Sequence, residues 1–170
     1  PGVAVKAEAF MAMKKDEGRA FIKPYRLVYV YHNQIDARGD KLSTENEVFT
    51  ACYEAVDEVF TMIKRISTNA NTLHFIVTSD HGFIYKRDKL QETDKIIHVA
   101  DKDAFINRRF IVAEDALEDD GITSYSMDKI LGNKDTKWVS VPVSSNVFKV
   151  TGGGQNFVHG GSSPQEMLIP

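Results

Sequence analysis

The chain has little of several features that would assign a protein to a class at once. Its 170 residues include one cysteine, Cys52, so no internal disulfide can form, which fits a reducing compartment. No apolar run approaches the roughly 20 residues that a membrane-spanning helix needs. The formal net charge of -3 gives no general field that would attract nucleic acid, although it does not exclude a local basic groove. What remains is an ordinary globular protein.

The chain does have enough length and apolar content for one folded domain. Its hydrophobic fraction is 42% and its charged fraction 26%, both typical of globular proteins of this size. It begins with Pro1 rather than methionine and ends directly after the apolar run 167–169, so we expect it to be cut from a longer protein. We therefore predict a single domain over residues 1–170 that is part of a larger whole.

Hydrophobic periodicity predicts a crossover unit in the first half. A strand at 27–31 precedes a polar loop, and a helix follows whose apolar residues recur at three- and four-residue intervals from Val48 to Ile66. Thr44 and Glu47 form a capping-box pattern before that helix. The apolar run 73–78 is predicted to be the next strand, parallel to the first and buried on both faces.

The remaining segments predict further elements. Residues 5–17 have a helical composition, and Pro164 suits the first turn of a terminal helix that Ser162 or Ser163 could cap. Pro142 predicts that its strand lies at a sheet edge. Short strands are predicted at 96–99, 108–112, 137–143 and 147–150.

The most informative residues are Asp80 and His81, which follow the apolar run 73–78 after Ser79. In open α/β sheets, ligands bind beyond the carboxyl ends of the strands. Carboxylate and imidazole are both common zinc ligands, so the pair is a natural half of a metal site. The alternative is that Asp80 caps a turn and His81 is a surface histidine.

Two other segments carry the same ligand types. Asp36 and Asp40 lie four apart after the strand 27–31, so a helical turn would place both carboxylates on one face. His159 precedes two glycines near the end of the chain. Two divalent ions roughly 4 Å apart could hold the attacking and leaving oxygens of a phosphoryl transfer. Taken singly, Asp36 and Asp40 could equally form Asx turns, and His159 could be a turn histidine.

Several neighbouring side chains are candidates for supporting roles. His32 could orient a ligating carboxylate, and Arg38 could pair with Asp36 or contact substrate. Arg108 and Arg109 could grip a phosphate, because guanidinium matches phosphate geometry. For at least one of these two arginines a solvated strand face is the favoured interpretation.

In this order, these motifs resemble a known family. The segments 29–40, 78–83 and 158–166 resemble the PglZ domain of bacterial phage-defence (BREX) proteins, which is similar to the alkaline phosphatase superfamily. The resemblance runs from about Tyr25 to Pro170. It implies a three-layer α/β/α fold with a mostly parallel sheet, here incomplete on its N-terminal side, and two divalent metal ions, zinc or manganese. It also implies a bacterial cytoplasmic location.

The resemblance implies a ligand set as well. Asp36, Asp40 and His159 match the positions that hold one ion, and Asp80 and His81 match two ligands of the other. The superfamily usually has histidine where this chain has Asp40. It also supplies a Ser or Thr nucleophile from an earlier strand, and nothing upstream of Tyr25 has that pattern, so we expect the nucleophile before this chain.

These observations favour a metal-dependent phosphatase or phosphodiesterase domain of a phage-defence protein, inactive as a fragment. Its substrate would be a phosphorylated molecule of unknown identity. Two alternatives stay open: a non-catalytic scaffold that binds other proteins of the defence complex, and a nuclease that acts on phage DNA. The negative net charge argues mildly against tight duplex binding.

Overall fold

A computed structural model describes residues 1–98, 102–151 and 156–169 of the chain. These residues form two units, of which the first comprises residues 1–39 and 46–77 and the second comprises residues 40–45 and those from 78 onward. Over the described ranges, no helix combines the length and the apolar character needed to cross a membrane.

The first unit packs helices beside a pair of strands. Its core forms where Ala7 and Phe10 meet Met62 and Ile66 of the long helix. The elements in chain order are β1 (Gly2–Lys6), α1 (Ala7–Ala12), α2 (Lys15–Ile22), β2 (Leu27–Tyr31), α3 (Gln34–Gly39) and α4 (Val48–Ala70).

Helix α4 confirms the long helix predicted from the apolar spacing, but fewer of its apolar residues are buried than expected. Its buried residues include Val48, Ala55 and Ile66, as predicted. Val56 and Phe60, also predicted to be buried, are 68% and 56% exposed. The apolar stripe is therefore wider than the surface that the rest of the first unit covers.

The ends of α4 follow local chemistry. A 3₁₀ turn at Glu45–Glu47 precedes the helix, so α4 starts later than the capping pattern at Thr44 indicates. Asn71 takes a left-handed conformation with φ 52° and ends the helix, in the segment where a break was expected.

Strand β2 was predicted correctly, but its partner was not. It pairs in parallel with β1, in the register from Gly2 opposite Leu27 to Lys6 opposite Tyr31. The predicted helix over 5–17 is wrong at its start, because α1 begins only at Ala7. The helix is also interrupted between Ala12 and Lys15, where α2 begins. The short alternation of Val3 and Val5 was outweighed in the sequence by the Ala, Met and Glu that follow.

The predicted strand at 73–78 is wrong. This segment has no regular structure, and Leu73, Ile76 and Val77 are 73%, 92% and 61% exposed. A strand is stable only when a neighbour pairs with its backbone groups. No strand of the described residues pairs with this segment, and apolar composition alone cannot supply that partner.

The second unit is built mainly from short antiparallel strands. A sheet of order β5-β6-β8-β7 is antiparallel throughout, β3 and β10 pair antiparallel, and β4 and β9 pair in parallel. The expectation of a mostly parallel sheet is therefore wrong for this unit, because its strands are not joined by the long helical crossovers that parallel pairing of consecutive strands needs. The elements are β3 (Ile84–Tyr85), β4 (Lys95–Ile96), β5 (Phe105–Ile106), β6 (Ile111–Ala113), β7 (Ile122–Ser126), α5 (Met127–Leu131), β8 (Trp138–Pro142), β9 (Val147–Phe148), β10 (Phe157–Val158) and α6 (Pro164–Met167).

Most short-strand predictions hold in outline. The predicted strand 108–112 moves to β6, because the backbone N–H of Asn107 donates to the carbonyl of Phe110 and closes a turn there. The predicted strand 96–99 overlaps β4 only at Ile96, since β4 ends there, and Val99 lies outside the described residues. Helix α6 begins at Pro164, as predicted, and its N-cap is Ser163, one of the two candidates that the sequence offered.

Pro142 occupies an interior strand rather than an edge strand. β8 lies between β6 and β7, but Pro142 is its last residue and pairs only with Ile122 of β7. The pairing between β6 and β8 ends at Ser140 of β8, so the N–H that Pro142 lacks is not needed for a hydrogen bond to β6. The exception is local to the strand end.

Candidate metal centre

The antiparallel ladder of β3 and β10 brings two histidines to one place. Val158 lies opposite Ile84, so the chain that leaves β10 runs beside the chain that enters β3. His159 directly follows β10, and His81 comes three residues before β3. Val158 is buried with Leu90 and Val147, and Ile84 packs against them, which anchors the ladder.

The two imidazole rings stack on each other. The ring centroids of His81 and His159 are 4.3 Å apart, and the ring planes differ by 5°. Phe157 meets the His159 ring edge to face at 5.7 Å. His81 and His159 are both about three-quarters buried, with side-chain exposures of 28% and 27%. These contacts fix both rings while leaving part of each open.

The tautomer of His81 follows from its neighbour. Its Nδ1 lies 3.0 Å from the carbonyl oxygen of Gly82, and a carbonyl only accepts, so Nδ1 carries the proton. In the neutral tautomer with the proton on Nδ1, Nε2 is the nitrogen whose lone pair could bind a metal ion. A backbone carbonyl in this role is typical of metal-binding histidines.

Two carboxylates accompany the rings. Oδ1 of Asp40 lies 3.2 Å from Nε2 of His159, and Oδ1 of Asp80 lies 3.9 Å from Nε2 of His81. Asp80 is held in a turn, since its Oδ1 also accepts a 3.0 Å hydrogen bond from the backbone N–H of His81. The structure therefore contains the turn that the alternative interpretation expected at Asp80, and the metal-ligand role of Asp80 and His81 stays a prediction.

A buried glutamate anchors the segment that carries Asp40. Glu45 is only 4% exposed, and its carboxylate accepts a 2.9 Å hydrogen bond from the backbone N–H of Asn156. Asn156 is the residue before β10, so the segment 40–45 is tied to the strand that leads to His159. Glu45 also acts on Arg108: burial lowers the pKa of that guanidinium, and the glutamate charge opposes the shift.

This donor set fits a divalent cation. Each imidazole has one carboxylate beside it, and imidazole and carboxylate are ligand types that zinc and manganese take in proteins. Two ligand atoms on one tetrahedral zinc, each at about 2.0–2.1 Å from the ion, lie about 3.3 Å apart. Oδ1 of Asp40 and Nε2 of His159 form a hydrogen bond of 3.2 Å, and this separation is also close to that of two ligand atoms on one zinc.

Within the second unit the structure therefore places the predicted ligands in neighbouring pairs: Asp40 beside His159 and Asp80 beside His81, with the two rings stacked. The fifth, Asp36, lies in the first turn of α3 in the first unit, and α3 ends at Gly39, one residue before Asp40. Whether these residues bind metal stays a prediction.

The predicted supporting residues contact helix α4. Nε2 of His32 lies 2.6 Å from Oε2 of Glu58, and Gln34 donates to the other oxygen of the same carboxylate at 2.9 Å. The guanidinium of Arg38 pairs with Glu54. These pairs connect α3 and the segment just before it to α4.

Arg109 does not have the role considered for it. It is 0% exposed and forms a bidentate pair with Glu166, whose exposure is 1%. A fully buried arginine that is already paired cannot grip a phosphate, and its surroundings are not a solvated strand face. Both sequence interpretations of Arg109 are therefore wrong.

Sequence reasoning missed Glu166 and Glu45 as parts of the site's support. Glu166 had a signal, because Ser163 and Glu166 have the spacing of a capping box before a helix. Glu45 had none, since a lone glutamate in a polar loop is usually solvated.

Together, these two carboxylate–imidazole pairs and the surrounding strands and helices define an α/β protein with a candidate divalent-metal centre. A family model described as "BREX system PglZ alkaline phosphatase-like domain" matches residues 1–170. The chain belongs to this PglZ family of the BREX phage-defence system, which confirms the resemblance seen in its motifs.

Two curated relatives agree with this assignment. The chain is 37% identical over 172 residues to "Alkaline phosphatase-like protein PglZ" of Bacillus cereus (strain H3081.97), with 98% of the chain covered. It is 33% identical over 171 residues to "Alkaline phosphatase-like protein BrxZ" of Escherichia coli O9:H4 (strain HS), with 99% covered. The match spans 20% of each relative, so the chain represents about a fifth of their length.

Proposed function

We propose that this chain is the metal-binding part of a metal-dependent phosphoryl-transfer hydrolase that acts in a BREX defence system. The observation that carries the proposal is the stacked pair of His81 and His159 with Asp40 and Asp80 beside them. Family membership supports the alkaline-phosphatase-like character and a role in phage defence. A bacterial cytoplasmic location is part of the same proposal.

In this proposal the ligands divide into two groups. Asp40 and His159 hold one ion, and Asp36, four residues before Asp40 in the sequence, is assigned to the same ion by the family resemblance. Asp80 and His81 hold the second ion, to which His81 offers Nε2 because Nδ1 is committed to the Gly82 carbonyl. When bound, the ions would polarise a phosphoryl oxygen and stabilise a developing negative charge.

The nucleophile is proposed to come from another part of the full-length protein. Strand β1 does lie upstream of β2, but α1 follows it at once with Ala7 and Glu8, and no Ser or Thr stands at that helix start. The chain spans a fifth of its relatives, which leaves room for a nucleophile and for the rest of a three-layer sheet. Without the nucleophile, efficient turnover by this segment alone is not expected.

Point variants of the full-length protein test the proposal. Asp80→Ala and His81→Ala should each abolish hydrolysis of a phosphomonoester or phosphodiester assayed with zinc or manganese. Asp120→Ala is the matched control, because Asp120 is an exposed carboxylate of the same unit, remote in sequence from the predicted ligands. Undiminished activity of the Asp80 and His81 variants would defeat the catalytic role.

A second candidate is a non-catalytic scaffold that binds other proteins of the defence complex. It is favoured by Asp40, which stands where the superfamily usually has a histidine. Metal analysis separates the two candidates. Full-length protein that retains no zinc or manganese after gentle purification would favour the scaffold.

A further inference from the structure

We propose that Arg109 and Glu166 are positioning residues for the candidate metal centre: the buried pair sets the places of His81 and His159. This inference rests on the proposed function, because it concerns the same site. Neither residue touches the site itself. Each acts through the two short loops that carry the histidines.

The pair is fully enclosed. Nε and Nη2 of Arg109 donate to Oε1 and Oε2 of Glu166 at 2.9 and 2.8 Å, and the exposures are 0% and 1%. Nη1 of Arg109 donates to the backbone carbonyls of Ser144, at 2.9 Å, and of Asn146. Bidentate arginine–carboxylate pairs fix orientation as well as distance, so each partner holds the other in one geometry.

The side chain of Glu166 holds the loop after His159. Its Oε1 accepts a 2.9 Å hydrogen bond from the backbone N–H of Gly161, and its Oε2 accepts bonds from the N–H and the hydroxyl of Ser163 at 3.2 and 2.7 Å. A Cβ on Gly161 would lie 2.8 Å from Nη2 of Arg109, so only glycine lets the loop pass this close to the guanidinium. The position of His159 is thereby tied to the pair.

The backbone of Glu166 holds the loop after His81. Its carbonyl accepts a 2.9 Å hydrogen bond from the backbone N–H of Gly82. Gly82 in turn presents its own carbonyl to Nδ1 of His81. One residue therefore anchors both histidine loops, with its carboxylate on one side and its carbonyl on the other.

A purely structural pair and a positioning pair make different predictions. Replacing a buried ion pair by apolar side chains of similar volume is often neutral for stability. If the pair only stabilises the fold, such a replacement should leave metal binding intact. If the pair positions the ligands, metal binding should weaken even though the protein stays folded, typically by about 10- to 100-fold for a residue that orients a ligand.

The test uses full-length protein carrying the double substitution Arg109→Met and Glu166→Leu, with Arg109→Lys as a second variant that keeps the charge and loses the bidentate geometry. The control is Glu92→Gln, which breaks an exposed ion pair with Lys149 in the same unit. Zinc and manganese affinities are measured by competition with a chelator, and folding is checked by the thermal midpoint. We expect about 10- to 100-fold weaker binding in both variants and no change in the control. Folded variants with unchanged affinity would overturn the inference.

A second readout separates this inference from the proposed function. If the unaltered full-length protein binds neither metal, the proposed function fails, but the positioning claim is still tested by ring-to-ring nuclear Overhauser contacts between His81 and His159. Loss of those contacts in the folded double variant would support a positioning role. Their retention would overturn it.

Discussion

The imidazole rings of His81 and His159 lie face to face, with 4.3 Å between centroids and 5° between planes. The two residues are far apart in the chain and meet because β3 and β10 pair antiparallel next to them. With Asp40 and Asp80 beside them, the rings form the site on which the proposed function depends.

The backbone of Gln165 passes so close to Gly82 that adding a single methyl group at Gly82 should destabilise the protein. A Cβ at this position would lie 2.0 Å from the backbone carbonyl oxygen of Gln165, which cannot move without shifting α6. We expect Gly82→Ala to destabilise the protein by about 1–3 kcal/mol or more. Urea unfolding of the variant measures this.

Gly121→Ala is the matched control for that substitution. Its Cβ would lie 3.4 Å from Asp119 and 3.6 Å from Ile96, which are ordinary contacts that small side-chain shifts accommodate. We expect a change within about 0.5 kcal/mol. Equal destabilisation by the two substitutions would contradict the packing described for Gly82.

The buried pair predicts a stability loss in acid. Burial works to raise the pKa of Glu166, but hydrogen bonds from Arg109, Ser163 and Gly161 outweigh it and hold the pKa below its ordinary value of 4.5. The folded state therefore binds the proton less readily than the unfolded state. The resulting stabilisation is present above about pH 4.5 and is lost as the pH falls through the lower folded pKa.

Glu166→Gln should reveal this contribution. We expect the free energy of unfolding of the variant to fall by about 3–5 kcal/mol at neutral pH, because Arg109 is left buried without its charge partner. On acidification, the stability of the variant should fall less than that of the unaltered protein. Unfolding midpoints across the pH range measure both effects. A variant with unaltered acid sensitivity would show that Glu166 is not the group that titrates.

Glu92 provides the contrast on the surface. Hydrogen bonds from Lys95 and Lys149, together with their charges, lower the pKa of this exposed carboxylate to about 2. Because its ion pairs are open to solvent and salt, we expect Glu92→Gln to change the free energy of unfolding very little at physiological ionic strength. Removing Lys149 should move the pKa of Glu92 back toward 4.5, which nuclear magnetic resonance titration can follow.

The core of the second unit predicts a further difference. Phe148 is 0% exposed and packs with Ile111 and Ala113. We expect Phe148→Ala to cost about 3–5 kcal/mol, the usual range for a buried phenylalanine. Tyr125→Ala, at a position that is 43% exposed, should cost clearly less, and a reversed order would contradict the packing described here.

The sequence predicted helices and ligand loops better than strand partners. Helix α4 and the turn around Asp36 follow from spacing within one segment, which a single sequence displays. The strand expected at 73–78 failed because strand formation depends on a partner elsewhere, and apolar composition does not show whether one is present.

The candidate site, too, was predicted only in part. Asp40, Asp80, His81 and His159 were recognised from residue type and from the family resemblance. The support that Glu166 and Arg109 give them was missed, because a buried ion pair joins segments far apart in the chain and looks, in sequence, like two ordinary surface charges.

Metal content of the full-length protein is the most direct test of the central claim. Elemental analysis after purification with zinc or manganese should find two divalent ions per chain, and His159→Ala should lose at least one of them. His74→Ala serves as the control, because His74 is an exposed histidine of the first unit that is not among the predicted ligands. If His159→Ala retains as much metal as the unaltered protein, the proposed centre is wrong.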